Sequence, residues 1–282
     1  MIGILLVATA EIFAEIGTSL GKYEVSKRKE SLYAMGFLNT VWATLFLLIW
    51  GLSGGELIFS YASLPFFLTR AVIEVVLLFI TLNAILTADR ATFSFLRILT
   101  IPLLLAVDIA LGYSFTLGQI AGICLVVVAL IFLFLNHGLS RKGKILSLLS
   151  AVLAVATITL YKYDITHYNS VPAEQILMHL IILVAIVVAA KIRAKENVFR
   201  YLTHSTFIIQ SVSSGIAGAL MSFAYLFAPA SIIIAAKRSF EVLAAIVSGH
   251  KYFHEKHLFI KLTAFILVVA GVILAAFWGQ SV

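Results

Sequence analysis

Long runs of apolar residues recur along almost the whole chain and are separated by short polar segments. A helix that crosses a bilayer core of roughly 30 Å needs about 20 consecutive apolar residues, and the runs reach this length. The pattern therefore predicts an all-α integral membrane protein with ten transmembrane helices joined by short loops. The predicted spans cover residues 2–21, 32–52, 65–86, 91–111, 116–136, 144–164, 171–190, 204–227, 229–249 and 258–278.

The proline positions agree with these boundaries. Pro65, Pro172 and Pro229 each lie at the start of a predicted span, where a missing backbone N–H costs least. Pro102 lies inside the fourth span instead. Because proline cannot donate a backbone hydrogen bond and collides with the preceding turn, we expect the fourth helix to bend there.

The composition leaves little sequence for a water-soluble domain. Hydrophobic residues make up 62% of the 282 residues and charged residues only 12%, whereas soluble domains carry about 25% charged residues. Cys124, the single cysteine, lies in an apolar run, so the chain offers neither a disulfide nor a cysteine-based metal site. The apolar N-terminal segment contains Glu11 and Glu15 and no preceding basic region, which favours a first span over a cleaved signal peptide.

The net charge of +7 comes from an asymmetric distribution of Lys and Arg. Fifteen of the 20 basic residues follow spans 1, 3, 5, 7 and 9, the other five lie within spans, and the loops after spans 2, 4, 6 and 8 contain none. Because basic loops stay cytoplasmic, ten spans predict both termini on the outer side of a plasma (inner) membrane. The same basic loops are placed to contact anionic lipid.

The two halves of the chain are similar at matching positions. The segment 19–25 closes span 1 and the segment 159–165 closes span 6, at an offset of 140 residues, and Arg97 matches Arg238 at an offset of 141. We therefore predict two five-helix repeats within one membrane domain. Because five is odd, the second repeat enters the membrane from the opposite side, as in many secondary transporters; chance similarity between apolar segments is the alternative. The predicted repeats cover residues 1–140 and 141–282.

The C-terminal part of the chain carries a family resemblance. A Lys-Arg pair at 237–238 enters an apolar helix, a short loop of acidic and basic residues follows at 249–256, and the final helix carries a small residue and then Gly271. This region resembles the ninth and tenth helices of the drug/metabolite transporter (DMT) superfamily, in its EamA-type branch. The segment that begins at Thr116 is similar to the same element in the first repeat, with threonine where an acidic loop residue is expected.

The resemblance implies a secondary carrier with ten helices in a five-plus-five inverted fold and a central cavity. Members of the superfamily carry amino acids, quaternary amines, nucleotide sugars or sugar phosphates, so the resemblance implies transport more firmly than it implies a cargo. We expect a secondary active transporter of a small polar or amphipathic organic metabolite that works by alternating access, with H⁺ or Na⁺ as the coupling ion. A polytopic membrane enzyme or a lipid flippase is the alternative.

The sequence contains no motif of a known enzyme class: no H-E-x-x-H, no G-x-S-x-G, no phosphate-binding glycine loop and no His-rich di-metal arrangement within a span. We therefore expect no catalytic residue, no cofactor and no metal. His250, His254 and His257 form a His-rich loop that we interpret as a solvated cytoplasmic turn rather than a divalent-metal site. The expected partners are a small-molecule substrate, the coupling ion and membrane lipid, without nucleic acid. The chain is expected to be a monomer or a homodimer.

Ionisable residues within the spans are the first candidates for the site. Each costs at least about 2.5–3.5 kcal/mol at mid-bilayer, so it is expected to face a cavity or a partner. Glu11 and Glu15 are four residues apart on span 1 and stack on one face, about 6 Å apart. Two close carboxylates in a low dielectric do not easily both ionise, which suits a proton-coupling or cation-binding site, and the deeper Glu15 is the stronger candidate. Pairing with cations on other helices is the alternative.

Two further pairs have the same spacing. Arg70 and Glu74 on span 3 can neutralise each other, and so can Lys237 and Glu241 on span 9. Arg238 splays about 100° from Lys237, so one of these two cations can pair with Glu241 while the other points elsewhere. The Lys-Arg pair resembles the phosphate-binding pair of the sugar-phosphate branch of the superfamily. We interpret Arg70 as structural and keep the other four residues as candidates.

Span 4 carries two isolated charges. Arg97 has no obvious partner within its own helix. It either donates to the carbonyl of Ile98, which Pro102 leaves without its usual donor, or it lines the cavity. Asp108 lies near the outer end of the span, where solvation is cheap, so we expect it to be exposed.

Span 8 adds two uncharged candidates, Gln210 and Tyr225. The same span contains Gly215 and Gly218, which allow close approach of a neighbouring helix. The residues predicted to bind substrate or the coupling ion are Glu11, Glu15, Glu74, Arg97, Gln210, Tyr225, Lys237, Arg238 and Glu241.

Overall fold

The computed structural model describes residues 2–54, 57–112, 116–136, 141–253 and 258–277. This part of the chain is helical and contains no strand. A short 3₁₀ helix precedes α3 at Tyr61–Ser63, a π-helical turn follows α8 at Ala190–Ala194, and a second 3₁₀ helix lies at Val198–Thr203. The α-helices are α1 (Ile2–Ser26), α2 (Leu32–Leu52), α3 (Leu64–Thr87), α4 (Arg90–Arg97), α5 (Thr100–Ala110), α6 (Leu117–Leu135), α7 (Lys144–His167), α8 (Val171–Ala189), α9 (Ser205–Ala224), α10 (Ala230–Phe253) and α11 (Leu258–Phe277).

Each apolar segment predicted from the sequence is helical, and the fourth is divided into α4 and α5. Seven helical segments within the described residues are long and apolar enough to cross a membrane. They are Ile2–Ser26, Leu32–Leu52, Tyr61–Thr87, Thr92–Ala110, Lys144–His167, Val171–Ala194 and Ser205–Ala224.

The break between α4 and α5 confirms the predicted effect of Pro102. The backbone N–H groups of Ile98 and Leu99 donate to carbonyls three residues earlier, at 3.1 and 3.2 Å, instead of four residues earlier. Pro102 then lies in the first turn of α5, where its missing N–H costs least. The hydroxyl of Thr100 donates to the carbonyl of Arg97 at 2.7 Å and satisfies one of the freed acceptors.

The outer surface of the helices differs from that of a soluble protein. Large apolar side chains on the outer faces of the helices are more than half exposed, among them Leu5, Ile12, Val72, Val184 and Ile209. Charged side chains are buried inside, among them Glu11, Arg70, Asp164, Glu174 and Arg238. Lipid solvates an apolar outer surface and cannot solvate charge, so this arrangement belongs to a membrane protein.

The helices form two compact units. Unit 1 comprises Met1–Leu82 and Ala156–Phe227, and unit 2 comprises Asn83–Val155 and Ala228–Val282. Each unit contains segments from both halves of the sequence, and the chain passes between the units within α3 and within α7. The predicted division at residue 140 concerns the sequence repeat and stays a prediction.

In unit 1, α1 and α9 pack closely in opposite directions. Gly17 faces Ser214, and Gly21, one turn later, faces Gln210. Small residues at such positions let two helix backbones approach each other, which is how helices associate in membranes. On its other side α9 runs parallel to α2, where Ser211 donates to the carbonyl of Leu38 at 2.6 Å.

α2 and α8 run antiparallel, since Gly36 faces Ile186 while Gly51 faces Pro172. Unit 1 therefore has two distinct ends. We call one the basic end: α1 and α8 end there, α2 and α9 begin there, and the loop lysines and arginines 27–29 and 191–195 lie there. We call the other the non-basic end: α3 and α8 begin there, and α2, α7 and α9 end there.

In unit 2, α6 and α11 pack through glycine. A Cβ atom on Gly271 would lie 2.5 Å from the carbonyl oxygen of Gly122, so only glycine allows this approach. Gly143, before α7, has a φ of +67°, and a Cβ there would lie 2.6 Å from the backbone N of Ala88. Gly271 is needed for the close helix approach, and Gly143 is needed for both its positive φ and its contact with the backbone of Ala88.

Candidate functional site

A buried cluster of polar side chains lies at the non-basic end of unit 1. Ser170 caps α8 by accepting a hydrogen bond from the backbone N–H of Ala173 at 3.4 Å, and Pro172 occupies the first turn. These residues start the helix directly before Glu174, whose carboxylate is favoured in the first turn by the helix dipole. The local sequence thus determines where this acidic group enters the helix bundle.

Arg70 of α3 forms an ion pair with Glu174. The Nη1 of Arg70 donates to Glu174 Oε1 at 2.7 Å, and its Nη2 donates to Gln175 Oε1 at 3.2 Å. The Arg70 and Glu174 side chains are only 4% and 0% exposed. The guanidinium lies over the ring of Tyr161, 4.5 Å from the centroid. Because each partner compensates a buried charge, removal of either costs about 3–5 kcal/mol.

The second carboxylate oxygen of Glu174 is also occupied. Asn169 Nδ2 donates to Glu174 Oε2 at 2.6 Å and to Ser63 Oγ at 3.0 Å. The Oδ1 of Asn169 accepts the backbone N–H of Ser60 at 2.8 Å. One asparagine therefore joins the loops that precede α3 and α8 to the buried ion pair.

The spacing of Arg70 and Glu74 allowed these two residues to pair, and the structure shows a different partner for Arg70. Its hydrogen-bonded carboxylate comes from Glu174 on the neighbouring helix. Glu74 Oε2 is buried and has no hydrogen-bond partner. Arg70 pairs with Glu174 because the two residues lie side by side at the same level of two parallel helices, α3 and α8. The spacing of residues along α3 alone does not reveal this partner.

Asp164, near the end of α7, is completely buried, and neither of its carboxylate oxygens has a hydrogen-bond partner. Arg70 and Glu174 both act on it electrostatically, with opposite signs. An ionised carboxylate buried without a hydrogen bond is costly. This group is therefore suited to hold a proton or to receive a cation.

Further buried polar atoms without hydrogen-bond partners continue along the same three helices. They are Glu74 Oε2 and Thr81 Oγ1 on α3, Thr159 Oγ1 on α7 and His179 Nδ1 on α8. Each such atom costs about 1–3 kcal/mol, and native structures keep few of them. They extend the cluster from the helix ends toward the middle of the helices. We call the whole set on α3, α7 and α8 the Arg70 site.

The structure brings two of the sequence candidates to the Arg70 site. Glu74 belongs to it directly. Tyr225 is buried, and its ring packs edge-on against Tyr161 at 5.5 Å between centroids. The backbone carbonyl of Tyr225 accepts a hydrogen bond from Lys162 Nζ at 2.7 Å. Tyr225 thus supports the aromatic ring on which Arg70 lies.

The other sequence candidates of unit 1 lie elsewhere. Gln210 is at the basic end, where its Nε2 donates to Glu30 Oε1 at 3.0 Å. On α1, Glu11 is buried, while Glu15 is half-buried and accepts a hydrogen bond from Ser19 Oγ at 2.5 Å. Their predicted role in ion coupling stays a prediction.

The four candidates of unit 2 form a second charged group. The Nη1 of Arg238 donates to Glu241 Oε2, and its Nε donates to Thr100 Oγ1 at 3.4 Å. Arg97 and Lys237 also act electrostatically on Glu241. Arg238, three residues away on the same helix, therefore forms a hydrogen-bonded ion pair with Glu241, and Lys237, four residues away, adds to the positive charge around it.

One expectation for span 4 needs correction. Asp108 is buried, with 6% exposure, and accepts the backbone N–H of Ser231 at 3.4 Å, because α10 begins against this side of α5. The carbonyl of Ile98 accepts the backbone N–H of Ile101 at 2.9 Å. The guanidinium of Arg97 lies over the ring of Phe93, 5.4 Å from its centroid, and its predicted role stays a prediction.

The His-rich loop falls partly outside the described residues, since the structure covers His250 and omits His254 and His257. Within the part of the chain that the structure describes, no three His, Cys, Asp or Glu side chains come together as a metal site.

The sequence reasoning missed the centre of the Arg70 site. Asp164 lies in the repeated segment 159–165, at the position that matches Glu24, and this match was a usable signal. Glu174 and Gln175 follow Pro172 so closely that the sequence favours interpreting them as the polar first turn of a helix. Tyr161 and Asn169 carry no charge, so the pattern of ionisable residues in the sequence does not indicate them.

The fold and the Arg70 site define an all-α, multi-pass membrane protein that buries charged groups among apolar helices. No protein-family model matches the chain, and no curated protein matches it. Membership of the drug/metabolite transporter superfamily therefore stays a prediction.

Proposed function

We propose that this protein is a secondary active transporter that moves a small polar or amphipathic organic metabolite across the plasma (inner) membrane by alternating access. The observation that carries the proposal is the Arg70 site, in which charged and unpartnered polar groups are buried among helices with apolar outer faces. Such groups within a membrane mark substrate or ion pathways by default. Apolar side chains would fill the same volume without the desolvation cost.

Asp164 is the group in this site that we assign to the coupling ion, H⁺ or Na⁺. Its carboxylate is buried without a hydrogen bond, while Glu174 already satisfies Arg70. A proton or a sodium ion at Asp164 removes the cost of this charge. When the ion leaves, Asp164 competes with Glu174 for the guanidinium, which links the occupancy of the ion site to the arrangement of α3, α7 and α8.

The helix positions support the two inverted repeats and ten crossings that the proposal includes. The starts of α2 and α8 are 139 residues apart, those of α4 and α10 are 140 apart, and those of α3 and α9 and of α6 and α11 are 141 apart. Two pairs of residues in the buried polar clusters have the same offset, since Arg70 matches Gln210 and Asp164 matches Glu24, each 140 residues apart. A duplicated unit inserted in opposite directions would place equivalent clusters at opposite ends.

Reconstitution into proteoliposomes tests the proposal. We expect at least one metabolite from a panel of radiolabelled amino acids, quaternary amines, nucleotide sugars and sugar phosphates to accumulate above equilibrium when a pH or Na⁺ gradient is imposed, and an ionophore to abolish the accumulation. Protein-free liposomes are the control. The proposal fails if no metabolite moves in uptake or counterflow with either gradient. Transfer of labelled phospholipid between leaflets, without metabolite uptake, would identify a flippase instead.

A further inference from the structure

A second buried polar pair lies at the basic end of unit 1, where a loop residue outside the membrane-spanning helices meets a residue in the first turns of α9. Glu30, in the loop between α1 and α2, is only 4% exposed, and Gln210 of α9 is fully buried. Gln210 Nε2 donates to Glu30 Oε1 at 3.0 Å. The other oxygen of each group, Glu30 Oε2 and Gln210 Oε1, is buried and has no hydrogen-bond partner. Gly21 of α1 leaves the room that the amide occupies.

One added proton satisfies both of these oxygens. Both atoms are hydrogen-bond acceptors, so they cannot bond to each other while Glu30 is ionised. A protonated Glu30 would carry an O–H that could donate to Gln210 Oε1, while the amide N–H already donates to Glu30 Oε1. An ionised Glu30 leaves both oxygens bare in a buried place.

The charged neighbours of Glu30 point to the same protonation state. Glu24 from α1 and Glu196 from the loop after α8 both face it and oppose a second negative charge. The cations nearby face these two carboxylates instead: Lys29 Nζ lies 3.8 Å from Glu24, and Arg200 donates to the hydroxyl of Tyr201, which donates to Glu196. Ser31 also donates to Glu196.

Burial raises the pKa of Glu30 from its ordinary 4.5 to about 8; the bond from Gln210 acts in the opposite direction, and Glu24 and Glu196 add to the rise. Glu30 is therefore mostly protonated at neutral pH.

We propose that Glu30 and Gln210 form a proton-binding site at the basic end, in which a carboxylic acid and a carboxamide make two reciprocal hydrogen bonds. The bound proton holds the α1–α2 loop against the start of α9. Its loss leaves a buried charge beside Glu24 and Glu196 and releases the loop. The site is distinct from the Arg70 site and does not depend on what the protein transports.

Infrared spectroscopy of the purified full-length protein tests the proposal directly. We expect the wild-type spectrum to contain the C=O band of a protonated carboxylic acid that disappears with a midpoint near pH 8. Glu30→Gln, which copies the neutral acid in shape, should remove this band. Glu196→Gln is the matched control and should keep it. A wild-type protein without a band that titrates between about pH 7 and pH 9 overturns the proposal, even if the variant does not fold.

Thermal unfolding gives an independent readout. The folded protein binds a proton more tightly at Glu30 than the unfolded chain does, so this residue makes stability fall as the pH rises from about 4.5 to about 8. We expect the Tm of Glu30→Gln minus that of the wild type to grow over this range and to stay constant above it. A difference that does not depend on pH contradicts the proposal. So does a Tm that rises with added NaCl at constant ionic strength in the wild type but not in Glu30→Gln, which would assign the oxygens to Na⁺.

Discussion

Asp164 and Glu15 differ in how well the protein solvates their carboxylates. Glu15 is half-buried and accepts a hydrogen bond from Ser19, whereas Asp164 is completely buried and both of its oxygens lack a hydrogen-bond partner. A bare carboxylate gains more from a bound proton or Na⁺ than one that is already hydrogen-bonded. We therefore propose Asp164, ahead of Glu15, as the main coupling candidate.

We expect Asp164→Asn to remove the pH dependence of transport and to leave thermal stability equal or higher, because a neutral amide is cheaper to bury than a bare carboxylate. The measurement is initial uptake in proteoliposomes across about pH 5.5 to 8, with Tm recorded on the same preparations. Glu15→Gln is the matched variant and should keep its pH dependence. If Glu15→Gln loses the dependence and Asp164→Asn keeps it, the original assignment to Glu15 is correct.

Single residues were predicted well where their chemistry is local. Pro102 interrupts the helix, and Gly215 and Gly218 lie where α9 meets α2. Partners were predicted poorly. Arg70 pairs with Glu174, 104 residues away in the sequence, and Gln210 pairs with Glu30, 180 residues away. Spacing along one helix cannot select between a neighbour on that helix and a neighbour on another.

The contact between α2 and α9 depends on glycine more strictly at one position than at another. A Cβ on Gly215 would lie 2.8 Å from the backbone N of Ala43 and 2.8 Å from the backbone C of Trp42, whereas a Cβ on Gly218 would meet only the Cβ of Ala43, at 3.0 Å. Backbone atoms cannot move aside as a side chain can, so the two helices must separate to accept a methyl group at Gly215.

We expect Gly215→Ala to destabilise the protein by about 1–3 kcal/mol and Gly218→Ala to destabilise it less. Thermal unfolding in detergent, followed by tryptophan fluorescence, gives the comparison. Both variants add the same methyl group to the same helix, so helix propensity is matched. Equal Tm values for Gly215→Ala and wild type would show that α2 and α9 are not as close as the structure has them.

The helices themselves were largely predictable, because a run of apolar residues long enough to cross a bilayer has few alternatives to a helix. The errors lie at the ends. α1 continues to Ser26, past the predicted end at residue 21, and buries Glu24. Its last turns pack against α9, and this tertiary contact extends the helix beyond the apolar run.

At the scale of the whole molecule, the distribution of basic residues defines a direction. The loops at the basic end of unit 1 contain lysine and arginine, and the loops at its non-basic end contain neither. If the basic end faces the cytoplasm, cysteines introduced at Lys195 and at Tyr61, both exposed, should label differently. In a Cys124→Ser background, we expect a membrane-impermeant maleimide to label Tyr61→Cys in intact cells and Lys195→Cys only after permeabilisation. The opposite pattern would invert the predicted topology.

The sequence by itself determined that lipid surrounds most of the chain, where the helices lie, and that the basic residues are concentrated in alternate loops. These features follow from the length of the apolar runs and from the positions of the basic residues along the chain. Only the tertiary structure decided which buried groups meet: Arg70 pairs with Glu174 and Glu30 with Gln210, whereas the carboxylate of Asp164 has no hydrogen-bond partner. The physical reason is that one property is local in the sequence and the other is not. Insertion into lipid depends on each segment separately, whereas solvation of a buried charge depends on side chains that distant parts of the chain bring beside it.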